Sequence, residues 1–121
     1  FYTRHIMEAF FKKSLFEIGF DERLTFFSYC FGKGKPDVFL YDYAAETVKE
    51  LGLSPNQVLY IGNDVRKDVE PARSIGFRTG LFAGDQRSLR LRQYRPPLPV
   101  NLADLILTEL TQIDECIPRP T

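Results

Sequence analysis

The chain has 121 residues, sixteen basic and sixteen acidic side chains, and a formal net charge of zero. That length suits one domain of roughly 100–150 residues, and 44% hydrophobic residues with eleven Phe supply a core, which excludes a disordered chain. Charge balance removes the basic excess of a typical nucleic-acid binder, and no apolar run approaches the ~20 residues that span a bilayer. The start, FYTRHIMEAFFKKS, mixes charge into every turn and does not read as a signal peptide. Cys30 and Cys116 are too few for a disulfide scaffold and lack metal-ligand spacing, so a reducing, cytoplasmic setting is expected.

The elements alternate along the chain. Met7, Phe11, Leu15 and Ile18 share one helical face, which predicts a helix over 3–18 with Thr3 as N-cap and Gly19 as stop. Leu24 to Cys30 is short, aromatic and β-prone, and predicts a strand. Gly32 to Pro36 is then a loop, and Asp37 opens a helix with Leu40, Ala44, Val48 and Leu51 on one face, closed by Gly52. Ser54-Pro55-Asn56 reads as a tight turn, and Gln57 to Ile61 as a buried strand that ends at Gly62-Asn63-Asp64. A short helix is expected from about Asp68 to Ile75, closed by Gly76, and then a strand from Phe77 to Phe82. Residues 86–95 carry Arg87, Arg90, Arg92 and Arg95, best read as a solvated helix or loop balanced by acids in 101–115. Leu105 to Leu107 reads as a brief strand, and Thr108 as the cap of a last helix carrying Leu110 and Ile113. Strands separated by helices of this length predict βαβ crossovers, hence an α/β fold with a parallel sheet.

In open parallel sheets ligands bind beyond the carboxyl ends of the strands. Two such ends carry polar residues here: the loop with Lys35 after the strand at 24–30, and Gly62 to Asp68 after the strand at 57–61. One crossover separates them, so both loops are expected on the same sheet edge. Two carboxylates and an amide oxygen from one strand end suit a hard cation such as Mg²⁺, which takes one or two protein carboxylates and completes its shell with water and phosphate. A lysine nearby is a point charge for a phosphate or a carboxylate nucleophile. Together they describe half of a phosphoryl-transfer site, where charge neutralisation and positioning do most of the protein's share.

Gly34-Lys35-Pro36-Asp37 before a helix, followed by VLYIGNDVRKDVEPARSIGFRTGLF from Val58 to Phe82, resembles the haloacid dehalogenase (HAD) superfamily. Lys35 matches that family's third motif, and Gly62 to Asp68 its fourth, an acidic G-D-x-x-x-x-D pattern that holds Mg²⁺. Asn63 stands at the first acidic position, Asp64 is beside it to supply the charge, and Asp68 matches the second position. The resemblance implies a Rossmann-like parallel sheet flanked by helices, with Lys35 catalytic and Asp64, Asp68 and Asn63 at the metal, Asn63 or Asp64 being the direct ligand. The family's nucleophile is an Asp in a D-x-D-x-T/V motif on the first strand, and a Ser or Thr on the next binds phosphate. No D-x-D occurs here, and Ser28 is too near Lys35 to be that second motif.

The resemblance therefore implies the C-terminal portion of a HAD core domain, missing its first strands and carrying no cap domain. The expected activity of the complete protein is hydrolysis of a small phosphate monoester through an aspartyl-phosphate, with Mg²⁺ and no nucleic-acid or membrane partner. Dehalogenation of a small haloacid, which needs no metal, and a non-catalytic binding or regulatory role are the alternatives. In the family's sheet the nucleophile strand lies between the strands expected at 24–30 and 57–61. The chain alone is thus expected to be inactive and to require an upstream segment for stable folding. Urea denaturation of monomeric 1–121 should show a broad, non-cooperative transition; a single cooperative one would contradict that expectation.

Overall fold

A computed structural model describes residues 4–32 and 37–118, and the chain divides into two units, Phe1–Ser54 and Pro55–Thr121. In the first unit the helix expected over 3–18 is two helices, α1 (Arg4–Phe11) and α2 (Leu15–Ile18). Lys12 leaves the helical region with a φ of 59°. The Ser14 hydroxyl accepts the Glu17 N–H at 3.2 Å, and the Glu8 carboxylate accepts the Leu15 N–H at 2.7 Å. These side chains satisfy the first donors of α2, so a break costs little. Apolar spacing marks the shared face but not continuity. Gly19 closes α2 at a φ of 124°, its N–H shared between the carbonyls of Leu15 and Phe16.

The strand expected at 24–30 does not form. Glu22–Leu24 is a 3₁₀ turn capped by Asp21, Thr25 and Phe27 are extended, and Ser28–Phe31 is a helical turn, α3. A strand requires a neighbour to take its N–H and C=O groups. Among the described residues none pairs with this segment, and local bonds serve instead: Leu24 N–H to Asp21 C=O and Cys30 N–H to Phe27 C=O, each 3.0 Å. Its aromatic residues go into ring contacts rather than a ladder. Phe26 and Phe31 each lie 5.4 Å from Tyr43, between ring centres, on α4 (Phe39–Glu50).

Asp37 does open α4, its Oδ1 accepting the Phe39 N–H at 2.8 Å. The buried face of α4 is Tyr41, Ala45 and Val48, rotated from the expected Leu40, Ala44, Val48 and Leu51. Both sets have helical spacing, and the larger Tyr41 takes the buried position.

The second unit carries the sheet. Pro55–Gln57 is a 3₁₀ turn, which delays β1 to Leu59–Gly62 against the expected 57–61. With β2 (Arg78–Phe82) and β3 (Leu105–Leu107) it forms a three-stranded parallel sheet in the order β1-β2-β3. The α/β reading holds. Between β1 and β2 lie a π-helical turn (Val65–Val69) and α5 (Glu70–Ser74), so helical structure begins three residues before the expected Asp68. The connection from β2 to β3 is irregular. Leu89, Leu91, Tyr94 and Leu98 from it pack on the core of Val65, Val69, Leu81, Leu102 and Ala103. After β3, Glu109 rather than Thr108 caps the closing turns Leu110–Gln112 and α6 (Ile113–Cys116). Gln112 Oε1 reaches back to the N–H groups of Thr108 and Glu109 at 2.9 and 3.1 Å, and the Glu109 side chain accepts the Gln112 N–H to complete a capping box. No described helix is long and apolar enough to cross a membrane.

β2 is the most enclosed strand, with Thr79, Gly80 and Leu81 all buried. Before β3 begins, Asp104 stands in for a ladder partner: its Oδ2 accepts the Thr79 N–H at 2.8 Å and the Thr79 hydroxyl at 3.3 Å. The Thr79 N–H bond, against partial burial and with help from Arg78 and Arg73, holds the Asp104 carboxyl below its ordinary range. Its contribution to stability is therefore complete above about pH 4 and is lost as pH falls through the lower folded value. Asp104→Ala should cost about 1 kcal/mol at pH 7, the low end for an orphaned buried N–H because Asp104 is exposed enough for water to reach. Urea denaturation of the full-length protein at pH 7 and pH 3 checks both points: the difference between wild type and Asp104→Ala should shrink at pH 3.

Candidate active site

Where β1 ends, the chain turns sharply, and one carboxylate makes the turn. Asp68 is 2% exposed, and its Oδ2 accepts the N–H groups of both Asn63 and Asp64 at 3.1 Å. A buried carboxylate is tolerated only when so bonded. The contact is close: a Cβ on Gly62 would stand 2.4 Å from the Cβ, Cγ and Oδ2 of Asp68. Glycine at 62 is thus required by approach rather than by backbone conformation.

Asp64 follows and caps the next turn. Its Oδ1 accepts the Arg66 and Lys67 N–H groups at 3.0 and 3.1 Å, while its backbone carbonyl accepts Asp68 N–H at 2.8 Å and Val69 N–H at 3.2 Å. Because that cap is at 64, the helical turn starts at Val65. Residues 89–92 run beside this loop. Arg90 N–H donates to the Asn63 carbonyl at 2.8 Å, and its own carbonyl accepts Val65 N–H at 3.0 Å, a parallel bridge of Asp64 with Arg90.

Leu89 and Leu91 go to the core, and the intervening register delivers Arg92 to Asp64. Arg92 Nε donates to Oδ1 at 2.9 Å and Nη2 to Oδ2, a two-pronged ion pair. Arg92 adopts a φ of 61°, unusual for a residue with a side chain. Burial alone would push the Asp64 carboxyl up. The Arg92 guanidinium and the Lys67 and Arg66 N–H groups outweigh it and hold the group below its ordinary value.

Arg92 is the residue that sequence reasoning missed. Its expected partners were acids in 101–115; its actual partner is Asp64. The only signal was the Leu-Arg alternation in Ser88-Leu89-Arg90-Leu91-Arg92. The other arginines of the segment bond locally, Arg90 Nη1 to the Arg87 and Leu89 carbonyls and Arg95 Nη1 to the Arg92 and Tyr94 carbonyls. Lys35 lies outside the described residues. Asn63, Asp64 and Asp68 are brought together within one turn.

Among the described residues, no group of three or more His, Cys, Asp or Glu side chains could hold a metal ion by itself. The donors at this turn are all hard oxygens, which fits Mg²⁺ in kind, since Mg²⁺ asks for only one or two protein ligands. They differ in availability. Asn63 is held through its backbone N–H and C=O, leaving its carboxamide oxygen uncommitted among the described residues. Asp64 is engaged by Arg92.

The sequence profile of the HAD-hydrolase-like family matches residues 32–109. The chain belongs to that family. A glyceraldehyde 3-phosphate phosphatase of Methanocaldococcus jannaschii is 37% identical over 60 residues, 50% of this chain and 24% of that protein. The chain thus spans about a quarter of that relative's length. The crystal structure of a HAD phosphatase from Thermococcus onnurineus superposes with a TM-score of 0.50 at 21% identity, over 70% of this chain and 34% of the other. That likeness supports the HAD-like, Rossmann-type sheet.

Two substitutions test the turn. Gly62→Ala should destabilise by about 1–3 kcal/mol through overpacking against Asp68. Asp68→Ala, which orphans two N–H groups, should cost about 2 kcal/mol or more. Urea midpoints of the full-length protein that differ little from wild type in either variant would refute this account of the loop.

Proposed function

We propose that the protein is a HAD-type phosphohydrolase acting on a small phosphate monoester in the cytoplasm. The observation that carries the reading is the Gly62–Asp68 turn, fixed by Asp68 at the carboxyl end of a parallel strand, in a chain of this family. The phosphatase named for the M. jannaschii relative supports a phosphorylated small molecule, with a three-carbon phosphate the first substrate to try.

In this reading a carboxylate from outside residues 1–121 attacks phosphorus, and the substrate's ester oxygen leaves as an alcohol after taking a proton. Water then hydrolyses the aspartyl-phosphate to release inorganic phosphate. Residues 1–121 belong to one core domain that an upstream segment completes. Lys35 offsets the negative charge of the nucleophile and the phosphate oxygens. Mg²⁺, when bound, would supply further charge neutralisation at the phosphate. Of the residues at the turn, Asn63 offers the uncommitted oxygen. Asp68 holds the Asn63 and Asp64 backbone in place, and Asp64 lends its charge to the ion only in so far as Arg92 releases it.

A second reading, a non-catalytic HAD-fold binding protein, is favoured by two observations: Asn63 at the family's acidic position, and Arg92 on Asp64. Hydrolysis of an aryl phosphate and of glyceraldehyde 3-phosphate by the full-length protein separates the two. The phosphohydrolase reading expects turnover that stops with EDTA and falls by about 100-fold or more in Lys35→Ala, the scale of losing one charge-stabilising group. Absence of turnover favours the binding protein. Turnover of a haloacid that survives EDTA indicates the dehalogenase.

A further inference from the structure

The carboxylate of Asp64 already has a cation. Its two oxygens offer about four lone-pair sites, and four N–H groups crowd them unevenly: Arg66, Lys67 and Arg92 Nε on Oδ1, which they saturate, and Arg92 Nη2 on Oδ2. Arg92 is not supplied by the neighbouring helix but by a segment 28 residues on. Three features seat it there: the leucines on either side of Arg90 in the core, the two backbone bonds of Arg90, and the left-handed backbone at Arg92 itself. A divalent ion that used Asp64 Oδ1 would have to displace the guanidinium, and one on the remaining lone pair of Oδ2 would sit against Arg92 Nη2, where the two cations repel. Displacement need not unseat the segment. The Arg92 side chain is 30% exposed and can swing to water while Leu89 and Leu91 stay packed.

We propose that Arg92 is a resident counter-cation that competes with a divalent metal ion for Asp64, and so is a positioning residue that sets the metal affinity of the Gly62–Asp68 turn. The inference rests on the placing of a metal ion at this turn in the proposed phosphohydrolase. By linkage, whatever free energy the ion gains at Asp64 is reduced by the cost of releasing Arg92. A charge-removing change at Arg92 therefore makes Asp64 available as a ligand, and metal affinity should rise.

Mn²⁺ binding to the full-length protein, followed by the loss of free-ion electron paramagnetic resonance signal, tests this without reference to turnover. Arg92→Gln should bind Mn²⁺ at least 10-fold more tightly than wild type, and Arg92→Gln/Asp64→Asn should lose that gain. Arg90→Gln, on the same segment but away from Asp64, should match wild type. Should Arg92→Gln fail to fold by circular dichroism, Arg92→Lys carries the test: losing the two-pronged fork, it should still bind Mn²⁺ more tightly than wild type. Folded Arg92 variants that bind no more tightly than wild type overturn the competition and leave the phosphohydrolase reading standing. Absence of Mn²⁺ binding in every protein overturns both.

Discussion

The buried carboxylate of Asp68 determines what the rest of the site can be. A carboxyl group at 2% exposure needs hydrogen-bond partners, and Oδ2 of Asp68 takes the N–H groups of the two residues that leave β1. That choice bends the chain over the strand end, demands glycine at 62, and brings Asn63 and Asp64 side by side. Asp64 can then cap Val65–Val69, and the helical turn begins early. The bridge to Arg90 and the arrival of Arg92 depend in turn on where Asn63 and Asp64 have been set.

Parts of this were legible in the sequence for clear reasons. β2 and β3 are short β-prone runs bounded by turn residues, and their limits were read to within one residue. The segment at 24–30 has the same β-prone composition but no neighbouring strand among the described residues, so Phe26 and Phe31 pack on Tyr43 instead. Composition reports what a side chain likes to touch; a strand also needs a partner for its backbone. Helical periodicity likewise put Met7, Phe11, Leu15 and Ile18 on one face, yet did not register the left-handed backbone at Lys12 and the Ser14 and Glu8 side-chain bonds that divide the helix.

At the site, the pattern of Gly62, Asp64 and Asp68 was readable as a turn with oxygen donors because all its parts are local. The division of labour among those oxygens was not. Asp68 takes backbone N–H groups on Oδ2, Asp64 takes a guanidinium 28 residues away besides capping its own turn, and that long-range pairing exists only once β2 and the leucines of 89–91 have placed it. A charge pair of that range leaves no periodic trace in a sequence. Asn63 at the family's acidic position, the departure visible from the start, thus acquires a structural context: the acid that stands beside it is already neutralised by Arg92.

The central claim is that Asp68 locks the backbone at the end of β1, and amide hydrogen exchange at Asn63 and Asp64 measures it most directly. Bonds to a buried carboxylate open only with the surrounding structure. Exchange of these two amides should therefore be as slow as that of the buried Gly80 and Leu81 amides at the centre of β2, and should become fast in Asp68→Ala. Exchange of Asn63 and Asp64 at the rate of an exposed loop in the wild-type protein would contradict the account.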